Sequence, residues 1–299
     1  MNKLLSCCNL CPRKCGADRT SGKQGLCHTS GELIVARASL HLWEEPCISG
    51  EHGSGTVFFS GCPLGCIYCQ NHNIKTAKAG KAISIERLGD IFLELEQKGA
   101  HNINLVTGTH YTLHIIKALE YAKSKGLSLP VVYNTSGYEL TGTLKMLDGL
   151  IDIYLPDFKY ISNETASKYS QAANYPEIAK NALSEMFRQV GKFYFTDDEM
   201  MQKGMIVRHL VLPEHKEESK QILKYLYDTF GDNIFISIMN QYTPVLYAKN
   251  HPELSRKVRD DEYDDIIDFA VSLGITNAFV QEGDAASESF IPEFDCEGV

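Results

Sequence analysis

The sequence has no apolar run approaching 18 residues, a single tryptophan and, after Cys69, only one cysteine, Cys296. Without such a run no membrane-spanning helix is expected. A surplus of positive charge is also missing: 29 Lys and Arg stand against 38 Asp and Glu, a net charge of −9. That balance argues against a nucleic-acid surface, which needs clustered cations. There is no Walker-type phosphate loop and no Gly-x-Gly-x-x-Gly string, so nothing points to nucleoside triphosphates or dinucleotides. No internal repeat is visible, which sets solenoids aside. A secretory leader needs a basic patch and an apolar stretch of roughly 7 to 15 residues, whereas only Lys3, Leu4 and Leu5 stand out before the first thiols. Leu4-Leu5-Ser6-Cys7 has the look of a lipoprotein cleavage box, but no hydrophobic segment precedes it. The chain is therefore expected to be cytoplasmic, where disulfides are rare and close-spaced cysteines read as metal ligands or redox groups.

What is present is unevenly placed. Nine of the ten cysteines fall in the first 69 residues: Cys7, Cys8, Cys11, Cys15, Cys27, Cys47, Cys62, Cys66 and Cys69. Hydrophobic residues at 43% and charged residues at 22% describe an ordinary globular chain of 299 residues, long enough for one large α/β domain with a small appendage. Residues 1–50 are rich in Cys and Gly, contain Pro12 and Pro46, and show no long helical period; they are read as a small, irregular, metal-binding segment.

Residues 51–299 alternate short apolar runs with amphipathic stretches. The strand candidates are 57–59, 103–106, 131–133, 151–155, 205–212 and 234–238, with a shorter seventh at 278–280. Leu88, Ile91, Phe92 and Leu95 share one helical face, as do Leu113, Ile116, Leu119 and Ala122; Ile222, Leu223, Leu226 and Phe230; and Ile266, Ile267, Ala270 and Leu273. Alternating βα units imply a parallel sheet covered by helices, curled towards a barrel or wound flat. In a barrel, function belongs at the carboxyl ends of the strands. Thr107, Asn134 and Asp157 stand at the ends of the second, third and fourth strands.

Gly61-Cys62-Pro63-Leu64-Gly65-Cys66-Ile67-Tyr68-Cys69 directly follows the first of these strands, with the spacing Cys-x3-Cys-x2-Cys. Three thiolates on one tight loop can hold three corners of an iron–sulfur cube, which normally takes four Cys ligands. The fourth iron then stays open to a small molecule. The alternative is a zinc knuckle completed by His72 or Cys47, but zinc sites usually show paired ligands at short spacing.

This motif, with an aromatic residue just before its last cysteine and a βα array behind it, resembles the signature of radical S-adenosylmethionine enzymes, specifically the group related to the pyruvate formate-lyase activating enzyme. The resemblance runs from about Thr56 to Ile275. It implies a partial (β/α)6 barrel and a [4Fe–4S] cluster on Cys62, Cys66 and Cys69, whose open iron is chelated by S-adenosylmethionine. It also implies reductive cleavage of that cofactor to a 5′-deoxyadenosyl radical, which abstracts hydrogen. The Thr107-Gly108-Thr109 turn then matches the one that holds the methionine amino group, with Thr109 in place of an acid, so that a carboxylate contact is lost. Asn134 and Ser136 fall in the segment after the third strand, Asp157-Phe158-Lys159 after the fourth, and Arg208 on the fifth, with Lys159 and Arg208 matched to the methionine carboxylate. Gln241, ahead of Asn240, is expected at the ribose, and Tyr68 against the adenine. A flavodoxin or ferredoxin would supply the electron, and a protein or peptide is a candidate substrate.

A second set, Cys8, Cys11, Cys15 and Cys27, can complete a tetrahedral zinc or a second iron–sulfur cluster. The Cys11-Pro12 step, similar to ferredoxin-like runs, favours iron–sulfur; free or redox thiols are the third reading. Cys47 is expected to be a buried packing thiol, and Cys296 a bystander. His110 and His114 have the spacing of a zinc-protease helix, but Tyr111 stands where the general base would be; His110 is expected near the site and His114 on the helix surface. Three functions remain: a radical enzyme activating a partner protein at a backbone glycine, a radical enzyme acting on a small metabolite or another peptide side chain, and a non-catalytic iron–sulfur electron carrier. A three-thiolate site with a spare position disfavours the last.

Overall fold

Runs of Val, Ile and Leu without polar alternation make strands that are buried on both faces. In the computed structural model, which describes residues 2–245, 248, 250–281 and 292–299, they do so. The strands are β1 (Leu33–His41), β2 (Ser54–Phe59), β3 (Lys81–Ile83), β4 (Ile103–Val106), β5 (Val131–Thr135), β6 (Ile153–Pro156), β7 (Tyr194–Phe195), β8 (Met201–Leu210), β9 (Phe235–Met239) and β10 (Ala278–Val280). Every residue of β2, β4, β5 and β6 is buried.

The order across the sheet is β10-β9-β8-β6-β5-β4-β2-β1-β3, with β7 paired to β8. From β2 to β10 all neighbours are parallel; β1 runs antiparallel to β2, and β3 antiparallel to β1. The sheet is not closed, which is the arrangement of a partial barrel. All seven expected runs are parallel strands.

The connecting helices bury the expected stripes on Ile85–Gln97 and Lys216–Phe230. On Thr112–Ser124 the stripe is turned: Ile115 and Ala118 are fully buried, whereas Ile116 only packs against the core edge. This helix is covered on a second side by the Cys-rich segment, so its apolar face cannot be read from one stripe. Two helices not singled out in the sequence, Asn163–Ser170 and Tyr175–Val190, fill the connection between β6 and β8. Among the described residues no helix is long and apolar enough to cross a membrane.

Residues 33–50, grouped by composition with the Cys-rich segment, enter the sheet and then the barrel. After β1, Cys47 and Ile48 on the short helix Pro46–Ser49 pack among Val132, Ile153, Leu155, Met201 and Ile206. Cys47 is thus a core thiol. The C-terminal residues return to β1, where Cys296 donates its N–H to the Ala36 carbonyl and Ala38 donates to Glu297.

Candidate active site

The loop from Gly61 to Cys69 leaves the carboxyl end of β2. Gly61 has φ +90°, and a Cβ there would meet the Cys27 carbonyl at 2.6 Å, so this turn accepts no side chain. Lys75 Nζ donates to the Cys66 carbonyl at 2.9 Å, and Ser170 Oγ lies 3.1 Å from the Cys66 sulfur. Burial, and then the neighbouring thiols, push Cys69 up to about 12 and Cys62 also upward. Iron supplies the charge and soft-ligand bonding that three clustered thiolates need. The donor set fits a cluster. Among the described residues no group of three or more His, Cys, Asp or Glu converges on a single metal ion.

Beside this loop lies a cavity of about 220 Å³, whose wall brings together Cys66, Tyr68, Cys69, Asn134, Asp157, Lys159, Arg208 and Gln241. The Arg208 guanidinium is its keystone. Its Nε donates to Asp157 Oδ1 at 3.0 Å, Nη1 to Glu44 Oε2 at 3.1 Å and Nη2 to Asn134 Oδ1 at 2.6 Å. Lys159 Nζ donates to the other Asp157 oxygen at 2.6 Å. Burial works to raise the Asp157 carboxyl, but Lys159 and Arg208 outweigh it and hold the group below the usual carboxylate range. For Glu44 burial wins over Arg208, and its carboxyl is raised.

Glu44 was not among the residues expected here. It follows β1 into the barrel, where its Oε1 accepts from Asn104 and Asn134, each at 3.2 Å. No spacing signals it, because its partners come from three different strands.

Tyr68 is buried edge-on against Tyr160, Tyr169 and Tyr242. Gln241 lines the cavity and Asn240 does not. Thr107, Gly108, Thr109 and Ser136 lie at the strand ends outside the cavity wall. Thr107 takes φ +61°, uncommon for a β-branched residue, while its N–H donates to the Asn134 carbonyl at 2.9 Å. Gly137, at φ +75°, packs its Cα onto the Asp157 carbonyl and joins the loops after β5 and β6.

The hydroxyls of Thr109 and Thr135 both donate to Glu139 Oε1 at 2.5 Å, so an acid does lie under this turn, carried by the β5 loop. Glu139 is buried, its Oε2 has no hydrogen-bond partner, and burial raises its carboxyl to about 7. Because the folded form holds its proton more tightly than the unfolded chain, the stability this group contributes is full below pH 4.5 and lost as pH rises through 7. We expect Glu139→Gln to be more stable than the parent above pH 7, by on the order of 3 kcal/mol, and not below pH 5. Thermal midpoints measured across pH 4.5 to 8 would show it; parallel profiles would refute it.

The second cysteine set forms a hairpin closed by Cys8 N–H to the Ala17 carbonyl and Gly16 N–H to the Cys8 carbonyl, both 3.0 Å. Cys8, Cys11 and Cys27 are buried and Cys15 is exposed. Both the Cys15 and Cys27 sulfurs face Gly25. Burial pushes the Cys11 thiol up to about 12, with Cys27 and Cys8 adding to the effect. Arg19, 1% exposed, sets Nη1 3.9 Å from the Cys8 sulfur and otherwise donates to the Ser30 and His110 carbonyls and to Thr29 Oγ1. A buried cation whose partners here are neutral suits anionic thiolates, although these four cysteines do not converge on a single ion.

Arg13, between Cys11 and Cys15, ties the two sets together. It donates to the carbonyls of Pro63 at 2.8 Å, Leu64 at 3.0 Å, Ser170 at 2.7 Å and Gln171 at 2.5 Å. His114, expected on the helix surface, is instead buried under the Cys-rich segment, its Nε2 donating to the Gly31 carbonyl at 3.1 Å. His110 is also buried, donating from Nε2 to the Ser60 carbonyl at 2.8 Å.

A larger cavity, about 770 Å³, opens at the opposite end of the barrel beside Cys47, His52, His101 and Phe195. It lies at the amino ends of the strands, away from the charged pairs, and the smaller cavity is the better candidate.

Comparison with known proteins identifies the family and the fold. The family model described as the Radical SAM superfamily matches residues 56–226, more than half of the chain. An uncharacterized protein of Methanocaldococcus jannaschii is 29% identical over 272 residues, covering 88% of this chain and 74% of its own. Among solved structures, Streptococcus suis SuiB bound to its precursor peptide SuiA superposes with a TM-score of 0.50 at 12% identity, over 75% of this chain and 47% of that one. Methylornithine synthase superposes with a TM-score of 0.50 at 12% identity, over 75% of this chain and 72% of its own. The chain thus spans about half the length of SuiB. At such identities these two structures share the fold.

Proposed function

The chain belongs to the radical SAM superfamily, and from that premise we propose that it binds a [4Fe–4S] cluster on Cys62, Cys66 and Cys69 and uses S-adenosylmethionine to take a hydrogen atom from a peptidyl substrate. The carrying observation is that Cys66 and Cys69 share one cavity wall with Lys159 and Arg208. When bound, the cluster and S-adenosylmethionine supply a 5′-deoxyadenosyl radical by one-electron cleavage. The protein's own residues orient and shield. Lys159 and Arg208 offer positive charge to the methionine carboxylate. Glu44 offers the negative charge that Thr109 lacks, beside the amino group that the Thr107–Thr109 turn and its flanking residues Asn134 and Ser136 would border. Tyr68 stands for the adenine and Gln241 for the ribose, while Asp157 holds both cations in place. Cys8, Cys11, Cys15 and Cys27 hold a second iron–sulfur cluster, with zinc as the other reading, in a segment that buttresses the first site.

The peptidyl substrate is read as the backbone glycine of a partner enzyme; SuiB, whose fold is similar, was crystallised with a precursor peptide. Action on a small metabolite or another peptide side chain is the second reading, supported by the modest size of the cavity. The test is anaerobic reconstitution with iron and sulfide, followed by dithionite and S-adenosylmethionine. The expected product is 5′-deoxyadenosine in catalytic excess over protein. Protein with a full cluster that forms none would refute the proposal.

A further inference from the structure

The larger cavity, at the amino ends of the strands, combines an aromatic wall with an acidic rim. Its volume of about 770 Å³ falls within the roughly 300–1,000 Å³ that small-molecule sites occupy. Phe195, Phe235 and Phe279 form the wall, with Phe235 and Phe279 stacked at 5.1 Å and Phe195 set edge-on to Phe235 at 5.5 Å. Cys47, Met200 and the tilted His52–His101 ring pair, 5.3 Å apart, complete it. Glu51, Asp198 and Glu199 make the rim and are exposed. Among the described residues none of these three carboxylates has an ion pair or a hydrogen-bond partner. No Lys or Arg lines the cavity. Burial, and then the nearby His52, hold His101 below its ordinary value, so its ring is neutral at pH 7. Behind the floor stands Glu45, buried, its Oε2 without any hydrogen-bond partner. Burial and then this carboxyl push the Cys47 thiol up to about 12.

We propose that this cavity binds a small organic cation, an amine or quaternary ammonium with an apolar body. Aromatic faces attract such a cation through their quadrupole, and the carboxylates at the mouth attract it by charge. The aromatic cluster already shows this preference. Phe193, packed on Phe195 and Phe235, takes the Lys192 ammonium 5.7 Å from its ring centre. Among the described residues no cation of the protein lies over Phe195, Phe235 or Phe279, so those rings are left for a ligand. The three acids repel an anion. A metal ion lacks its ligands, since among the described residues no three His, Cys, Asp or Glu converge on one point. Glu44 lines the smaller cavity, whereas Pro46 and Cys47, on the same strap, line this one. Binding here needs neither the cluster nor S-adenosylmethionine, because the lining residues stand at the opposite end of the barrel from the cluster loop.

The test titrates three probes of similar size into reconstituted full-length protein by calorimetry: benzyltrimethylammonium as the cation, 2-phenylethanol as a neutral molecule and phenylacetate as an anion. At low salt the cation should bind with a Kd of about 1 mM or tighter. The neutral probe should bind at least about five-fold more weakly, and the anion not at all. Phe195→Ala should weaken the cation by about five-fold or more. Asp198→Asn/Glu199→Gln protein, changed only at exposed positions, should bind it about five-fold more weakly and lose most of the salt dependence. If the Phe195 variant fails to fold, this charge variant decides alone. Glu164→Gln/Glu177→Gln protein, changed at exposed acids that begin the helices Asn163–Ser170 and Tyr175–Val190, should bind as the parent. No binding of benzyltrimethylammonium up to about 10 mM, ten times the expected Kd, would refute the site. Equal binding of the three probes, parental affinity in either folded cavity variant, or an equal loss in the control variant would each overturn the proposal.

Discussion

Cys66→Ala protein should form no measurable 5′-deoxyadenosine, a loss of at least about a thousand-fold, because removing one of three thiolates leaves a cluster that normally has four ligands without a stable seat. Cys66 is the thiol most enclosed by the protein, with the Ser170 hydroxyl on its sulfur and the Lys75 ammonium on its carbonyl. Alanine leaves both partners in place, so the chain should fold while iron and sulfide at this site are lost. Electron paramagnetic resonance of the dithionite-reduced protein should lose the signal that responds to S-adenosylmethionine. Cys47→Ala, which alters a thiol inside the barrel core, should keep that signal. In Cys62→Ala/Cys66→Ala/Cys69→Ala protein, metal should remain, bound by Cys8, Cys11, Cys15 and Cys27. Analysis that finds no iron or zinc in that variant would refute the second site, and a Cys66→Ala protein that still cleaves S-adenosylmethionine would refute the first.

Arg208→Ala should be the most destabilising single change at the cavity. The guanidinium joins Asp157, Glu44 and Asn134, which lie on different elements, and its side chain is only 15% exposed. Removing it leaves Asp157 with Lys159 alone and Glu44 with only two amide donors. Breaking a buried ion pair from one side costs about 3–5 kcal/mol, because a charge stays desolvated without its partner. In the variant Glu44 takes up a proton, so part of the loss should return as pH falls from 7 towards 5. Arg208→Lys keeps the charge but not the fork, and should fall between parent and alanine variant. Urea unfolding at pH 7 and pH 5 measures the stability effect. Equilibrium dialysis should show S-adenosylmethionine affinity at least about ten-fold weaker, the scale of one lost charge-assisted hydrogen bond. Unchanged stability and affinity would remove Arg208 from the site.

These two predictions draw on different layers of the molecule. The thiols at 62, 66 and 69 were legible because their chemistry is local: eight residues fold on one loop, and spacing alone says that three sulfurs can face a common centre. The seven parallel strands were legible for a similar reason, since burial on both faces removes polar alternation from the sequence itself. Asp157 and Lys159 announced themselves at a strand end, two residues apart, and they share one salt bridge in the structure.

Glu44, Glu139, Arg13 and His114 were not legible, and the physical reason is common to them. Each acts through a partner that is distant in the chain, so its role depends on which elements the sheet order makes neighbours. Glu44 reads locally as one of two acids before a proline. It becomes part of the cavity only because β1 runs antiparallel to β2 and sends the next residues through the barrel to Arg208, 164 positions away. Glu139 looks like a loop residue until the β4 turn brings Thr109 onto it, and His114 looks solvent-facing until the Cys-rich segment covers its helix. The sequence by itself determined the strands, the covering helices and the three-thiol loop, because periodicity and short spacing act within a few residues. Only the tertiary structure decided which buried charges meet, because a buried carboxylate or guanidinium is set by its nearest opposite charge or hydrogen-bond partner, and that neighbour is chosen by topology.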